Sequence, residues 1–401
     1  SQISDFVRTS LVYFEHSIDA NKRQDQLYNA YNILSINENG FTISYLSEML
    51  EGQVALLSSG YLTAKETVVL LDTLRNSALY RADQNSYLLY PNKELPRFLE
   101  KNTIPDELVK KSSLLKKLVN DNNFQIITKD LNGGYHFNGN FKNSGDVKIA
   151  LEELKLSAYN SLVEKDATVV LEIFEEVFNH KAFTGRSGTF FAFEGLGSIY
   201  WHMVSKLHLA VYEACVKAID NKEEVSVVNR LIAHHYEIGK GIGVHKSPQL
   251  YGAFPTDPYS HTPQHRGAQQ PGMTGQVKED ILVRFGEFGV KVTEGKLFFN
   301  PSLLKKDAFL QVPKTFDYID IHNKKQKVEL FNNSLCFTYC QIPVIYKLSN
   351  KCGMEVELND RTSIAFDNHI LDSETSQKIF DRSGEVKKII VSILENQLFN
   401  E

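Results

Sequence analysis

The chain lacks the marks of several large protein classes. Among its 401 residues there are four cysteines, Cys215, Cys336, Cys340 and Cys352, with no CxxC pair. That is too few and too scattered for a disulfide-stapled scaffold or a zinc ribbon, so they are expected to be buried thiols. No run of about 18 apolar residues is available to span a bilayer. The opening SQISDFVRTS has neither the basic start nor the apolar middle of a signal peptide. Basic tracts are missing too, and the net charge is only −5, which gives nucleic acid nothing to hold. No segment repeats at a fixed period of about 20 to 50 residues. Together these absences favour a cytoplasmic protein with neither membrane nor nucleic-acid partner.

What is present is a globular composition, 42% hydrophobic and 23% charged. The length exceeds what one core usually fills, so two unequal units are expected. Up to about residue 290 the apolar residues recur at three- and four-residue spacing. Ser44 to Ser58, Ala64 to Ala78, Val147 to Leu162, Ala167 to Asn179 and Gly195 to Ile219 are the clearest helices. Helices in succession imply a bundle, a solenoid or a toroid. Beyond residue 290 the pattern changes to short aromatic and β-branched segments: GKLFFNP, FDYIDIH, KVELF, SLCFTYCQIPVIYKL and GMEVELND. Residues 1–290 are therefore expected to form an α-helical domain, and 291–401 a small antiparallel β domain closed by a helix from Ser373 to Gln397.

The loops between the helices hold the polar chemistry. Tyr251 to Gln276 places Asp257, His261, His265, Arg266, Gln269, Gln270 and Thr274 close together among aromatic and proline residues. Amide, imidazole and guanidinium groups beside rings suit a sugar, which presents hydroxyls and apolar faces, and they suit phosphate equally. His261 and His265 lie four apart in a proline-rich loop rather than on a helix face, and no cysteine accompanies them, so no metal is expected. A polar loop of purely structural purpose is the plainer alternative. Thr274 and Gly275 precede a helical run from Gln276 to Phe285, where an N-cap and free N–H groups favour an anion. Arg266 and His265 add donors nearby. A second group lies in Phe183 to His202, with Arg186 and Ser187 in a glycine-rich turn, then Glu194, Tyr200, Trp201 and His202. Glu194 is either an acid or a first-turn helix charge; the aromatic residues either line a pocket or pack between helices. In the first third, Asp25, Glu48 and Glu51 are the carboxylates beside apolar helices, together with Asp83 beside Arg81. A buried carboxylate there must be paired or functional.

In order, these features resemble the C-terminal portion of the inverting glycoside phosphorylases related to cellobiose phosphorylase. In that family a Tyr-x-His before a helix, and later a Thr-Gly opening another helix, supply phosphate ligands. A glycine turn and a strand then lead into a small β domain. Here Tyr200-Trp201-His202 is followed 72 positions later by Thr274-Gly275, then by Phe288-Gly289-Val290 and by Gly295 to Pro301. The likeness covers roughly residues 180 to 345. The family's Asp-Trp-Asn-Asp string, which carries its acid, is absent, and Asp25 is the nearest positional candidate, with Glu48 and Glu51 behind it.

The resemblance implies an (α/α) helical-hairpin toroid followed by the β domain. Periodicity yields about nine or ten helices, short of a closed toroid of six hairpins, so the toroid is expected to be incomplete. A remainder of a larger polypeptide, or a homodimer, is the implied partner. It further implies phosphorolysis of a glucoside or oligosaccharide, with inorganic phosphate as co-substrate and no cofactor. Phosphate would be held by His202, Thr274, the Gly275 backbone and Arg266 or Arg186. One of Asp25, Glu48 and Glu51 would protonate the glycosidic oxygen. Two alternatives stay open: an inverting hydrolase in which Glu194 or Asp257 activates water, and a carbohydrate-binding fragment without turnover.

Overall fold

The computed structural model describes residues 2–37, 40–46, 48–92, 94, 96–179, 199–242, 261–262 and 276–399. The chain divides into two compact units, one made of residues 1–91 and 198–401 and the other of residues 92–197.

The first unit begins with helix α1 (Gln2–Ala20), which buries none of its residues. Strands β1 (Asn32–Asn37) and β2 (Gly40–Tyr45) follow as an antiparallel hairpin. The helix expected from Ser44 therefore begins only at Leu50: Ser44 and Tyr45 are claimed by the hairpin, where they pair with Ile33 and Asn32. Helix α2 (Leu50–Ser59) ends at Gly60, whose φ of 68° is the left-handed conformation that closes helices. Helix α3 (Ala64–Arg75) opens on a capping box in which Thr63 and Glu66 each satisfy the other's backbone N–H. A two-residue ladder joins β3 (Tyr80–Arg81) to β4 (Ser86–Tyr87).

Residues 92–197 form the second unit. It contains α4 (Phe98–Lys101), α5 (Asp106–Lys111), α6 (Ser113–Asn120), the hairpin of β5 (Ile127–Lys129) and β6 (Tyr135–Phe137), and then α7 (Ser144–Lys155) and α8 (Asn160–Phe178). The single helix expected from Val147 to Leu162 is broken, because residues 156–159 turn between α7 and α8. A core of its own, including Leu114, Leu118, Phe137, Leu151 and Phe174, holds the unit together. Two buried polar side chains replace missing backbone partners there. Asn102 accepts from Phe137 N and donates to Phe137 O, both at 2.9 Å, like an added rung of a sheet. Asp166 accepts from Ser112 Oγ at 2.9 Å and from Leu114 N at 2.7 Å, closing the start of α6.

The first unit resumes at β7 (Ile199–Tyr200), which runs into α9 (Trp201–Asp220) and then α10 (Val225–Lys240). Strand β8 (His261–Thr262) pairs antiparallel with β7, and helix α11 (Gln276–Glu287) follows. Contacts fix how these helices run. Along α9 and α11, the His202 ring feels the charge of Glu279, Tyr212 lies against Gly286, and Asp220 bonds Lys291 at 2.8 Å. Residues near each start meet, as do residues near each end, so the two helices are parallel. At Gly286 a Cβ would fall 2.1 Å from Tyr212 Cζ, so only glycine lets α11 come this close. Helix α2 runs the same way: its C-cap Gly60 accepts from Lys217 Nζ at 2.7 Å near the end of α9. Asp72 with Arg230 and Arg75 with Glu237 likewise align α3 with α10. Two hairpins, α2–α3 and α9–α10, thus pack side by side over a shared core that includes Leu50, Leu74, Trp201, Leu207, Val211 and Leu231.

A second core lies in the β region. Strands β9 (Val290–Thr293) and β10 (Lys296–Phe299) form one hairpin, and β11 (Lys314–Ile319) and β12 (Lys325–Leu330) another. A five-stranded sheet follows, built from β13 (Ser334–Tyr339), β14 (Ile342–Leu348), β15 (Gly353–Leu358), β16 (Ser363–Phe366) and β17 (Val386–Ile393) in the order β13-β14-β17-β15-β16. Its pairs are antiparallel except β14 with β17, which is parallel. The chain makes that crossover through β15, β16 and helix α12 (Ser373–Phe380). The terminal helix expected to reach Gln397 therefore stops at Phe380, and Val386–Ile393 is a central strand. Of the four cysteines expected to be buried, only Cys215 is; Cys336 and Cys340 are half-buried and Cys352 is exposed. Among the described residues no helix is long and apolar enough to cross a membrane.

Candidate functional site

Three separated stretches of sequence meet where α9 and α11 begin. Tyr200 pairs with His261 and Ile199 with Thr262 in the β7–β8 ladder, so the backbone of His261 and Thr262 is drawn beside the Tyr-Trp-His segment. His202, in the first turn of α9, faces Glu279 in the first turn of α11. The tyrosine and histidine rings of this segment meet edge to face, with centroids 5.1 Å apart. Because α9 and α11 are parallel, their N-terminal ends lie side by side, and both dipoles present their positive ends there. The start of α2 lies toward the same end, since Leu50 N donates to Leu89 O just beyond β4, and β4 neighbours β7.

The electrostatics of this end are mixed. Burial pushes the His202 imidazole below the usual histidine value; Glu279 pulls it up, and Lys206 and Lys278 add to the depression. His202 is thus neutral near pH 7, with one N–H to donate and one lone pair to accept. Glu279 is 5% exposed, and among the described residues its Oε2 has no hydrogen-bond partner. Lys278 Nζ approaches its other oxygen at 3.9 Å. A buried carboxylate oxygen without a donor is uncommon, which singles out Glu279 as chemically available.

Other expected site residues fall elsewhere. Trp201 is 1% exposed and belongs to the helical core. Asp25 and Glu48 are brought together by Arg23, whose Nη2 reaches Asp25 Oδ2 at 2.8 Å and Glu48 Oε2 at 3.1 Å. The Arg23 hydrogen bond, helped by the Leu27 N–H, holds the Asp25 carboxyl below its usual range against a modest burial effect. Glu51 sits half-buried in the first turn of α2. Arg81 bonds Asp83 at 2.9 Å. The side chain of His261, and Arg186, Glu194, Asp257, His265, Arg266, Gln269, Gln270, Thr274 and Gly275, lie outside the described residues.

The structure also gathers residues that sequence patterns did not point to. His208 on α9, His235 on α10 and Glu287 at the end of α11 converge beside a cavity of about 520 Å³ lined also by Tyr236, Asp280, Arg284, Lys305 and Asp307. The two imidazoles stack with centroids 4.4 Å apart. His235 Nε2 lies 3.0 Å from Glu287 Oε1, and Arg284 Nη1 donates to Glu287 Oε2 at 2.5 Å. Burial works to raise the Glu287 carboxyl, but His235 and Arg284 outweigh it and hold the group down at about 2. The paired His234-His235 on an otherwise apolar helix face was the available signal. Glu279 was hidden by its position, where an acid usually serves only the helix dipole.

Residues 95–181 match the family model described as GH149 phosphorylase insertion domain 2. This stretch falls within the compact unit of residues 92–197, and it relates the chain to glycoside phosphorylases. No curated protein matches the sequence.

Proposed function

We propose that the protein belongs to an inverting glycoside phosphorylase that cleaves a glucoside or oligosaccharide with inorganic phosphate. The carrying observation is the meeting of Tyr200–His202, the His261 strand and the first turn of α11 at one end of two parallel helices. The match of residues 95–181 to a phosphorylase insertion domain supports the same reading.

In this proposal phosphate rests against His202 and against Thr274 and Gly275, which precede α11 in the sequence, with Arg266 or Arg186 as counter-charge. Neutral His202 donates its N–H to a phosphate oxygen, and the helix N-termini offset the anion's charge. Phosphate attacks the anomeric carbon from the face opposite the leaving group and needs no general base. The leaving oxygen takes its proton from a carboxylic acid. Asp25 is held ionised by Arg23, so Glu51 at the start of α2 is the first acid to test, then Glu48. The helical hairpins are read as part of an (α/α) toroid. Exposed apolar side chains on α1 and the β1–β2 hairpin, among them Phe6, Leu11, Phe14, Ile36 and Phe41, support its completion by further polypeptide or a second copy.

Glu279 gives a specific reason to keep a second reading. A buried carboxylate beside His202 is what an inverting hydrolase uses to activate water. Both are tested by incubating the protein with glucosides and oligosaccharides, with and without phosphate, and following sugar 1-phosphate and free sugar. Phosphorolysis requires sugar 1-phosphate that depends on added phosphate; equal turnover in phosphate-free buffer would leave only hydrolysis. His202→Ala is expected to lower phosphorolysis by about 100-fold or more.

A further inference from the structure

We propose that His208, His235 and Glu287 form a binding site for one divalent cation of the zinc type. One ligand atom from each residue lies within 4.8 Å of those of the other two. The donors come from three helices, α9, α10 and α11, so an ion here would tie these three together, two of which, α9 and α11, also begin at the candidate active site.

The donor set suits such an ion. Two imidazoles and one carboxylate are the protein ligands of open zinc sites, with bonds of about 2.0 to 2.2 Å. Tetrahedral geometry at those lengths places ligand atoms about 3.3 Å apart, close to the 3.0 Å between His235 Nε2 and Glu287 Oε1. In the metal-free form the Nε2 hydrogen lies between these two atoms; on binding, the imidazole takes its other tautomer, with that hydrogen on Nδ1, and the cation sits between the same two atoms. His208 must move inward to complete the set. Glu287 faces His235 with Oε1, while Arg284 holds Oε2, the outer hydrogen bond that orients a ligating carboxylate.

Burial adds a second, independent observation. His235 is fully buried, and among the described residues its Nδ1 has no hydrogen-bond partner. The imidazole is therefore positioned through Glu287 and by stacking on His208 rather than by a full set of hydrogen bonds. His208 and Glu287 both line the adjoining cavity, which leaves the remaining coordination positions open to water or a small ligand. Asp280 and Asp307 on the cavity wall offset the charge of Lys240 and Lys305 that would otherwise oppose a cation.

The test uses the full chain, stripped with a chelator and dialysed against Zn²⁺ or Co²⁺. About one equivalent should bind, and the melting temperature should rise by about 2 to 5 °C at saturating Zn²⁺. Glu287→Gln and His208→Ala should each weaken binding by about 100-fold or more, whereas the His261→Ala/His265→Ala variant should keep it. Should a variant fail to fold, histidine ring shifts induced by Co²⁺ in the unaltered chain identify the ligands instead. No saturable binding, binding lost in the His261/His265 variant, or Co²⁺ shifts confined to exposed histidines would each overturn the assignment.

Discussion

At the scale of single residues, the charged side chains show which groups are poised and which are held. Asp25 was the positional candidate for the acid, but chain neighbours two residues away decide its state: Arg23 donates to it and Leu27 N caps it. Nothing in the string RQDQL distinguishes that local turn from an exposed catalytic loop. Glu279 is the reverse case, a conventional first-turn acid that folding has buried without a donor for Oε2 among the described residues. If it acts on water, Glu279→Gln abolishes phosphate-independent hydrolysis; if it only tunes His202, the variant removes the upward pull on the imidazole. An NMR titration of His202 then shows a lower midpoint with turnover retained. His136 offers a clearer pH test. Its pKa is raised above 6.5, first by the Asp130 hydrogen bond, while Asp130 is lowered from 3.8 by the same contact. Raising a histidine's folded value adds stability that is full below 6.5 and lost as pH climbs through the raised value; the aspartate's share is lost as pH falls through its depressed value. Thermal melts of His136→Gln against the unaltered chain should therefore differ most between those limits and converge at higher pH.

At the scale of elements, helices were legible because each buries one stripe, and that stripe repeats at three and four residues whatever it packs against. Failures occurred where strands imitate that spacing or where turns lack their usual residues. In β17 the register shifts opposite Glu357 and Leu358, which face Lys388 and Val386. Val386 and Ile389 are both buried, three apart as on a helix, before the alternation of Ile389, Val391 and Ile393 begins. The bulge thus disguised a central strand as the end of a helix. The hairpin between β13 and β14 turns at Cys340 and Gln341, both with positive φ, so no glycine or asparagine announced it. Gly289 was legible, and its role is now physical: φ is 70°, and a Cβ would fall 1.9 Å from Asn300 O, whose own N–H donates to Gly289 O. Gly289→Ala should destabilise the first unit by about 2 kcal/mol or more, read as a lower urea midpoint with unchanged far-ultraviolet dichroism. A change below about 0.5 kcal/mol would mean that the turn relaxes to accept a side chain.

At the scale of the whole molecule, the organising feature is an insertion that composition alone did not reveal. Both units are helical up to residue 290, so hydrophobic periodicity runs on without a shift in character, and the only change it registers is the start of the β region. What separates residues 92–197 is the closure of their contacts around their own core, a property of three-dimensional packing rather than of local pattern. The chain leaves the first unit just after β4 and re-enters it at β7, and these two strands are neighbours. An exit and a return so close together are the geometry of an inserted domain, which folds without requiring its host. Residues 92–197 produced alone should therefore unfold cooperatively, and the chain with that stretch replaced by a short Gly-Ser linker should keep the helical and β cores of the first unit. Asp166→Ala supplies the internal control: it strips the buried acceptor from Ser112 and Leu114 N and should lower the stability of the isolated unit by about 1 to 3 kcal/mol. The same substitution should lower, in the full chain, only the transition assigned to residues 92–197. If instead the isolated unit shows no cooperative transition, or Asp166→Ala shifts every transition of the full chain equally, the two units fold as one and the insertion is integral to its host.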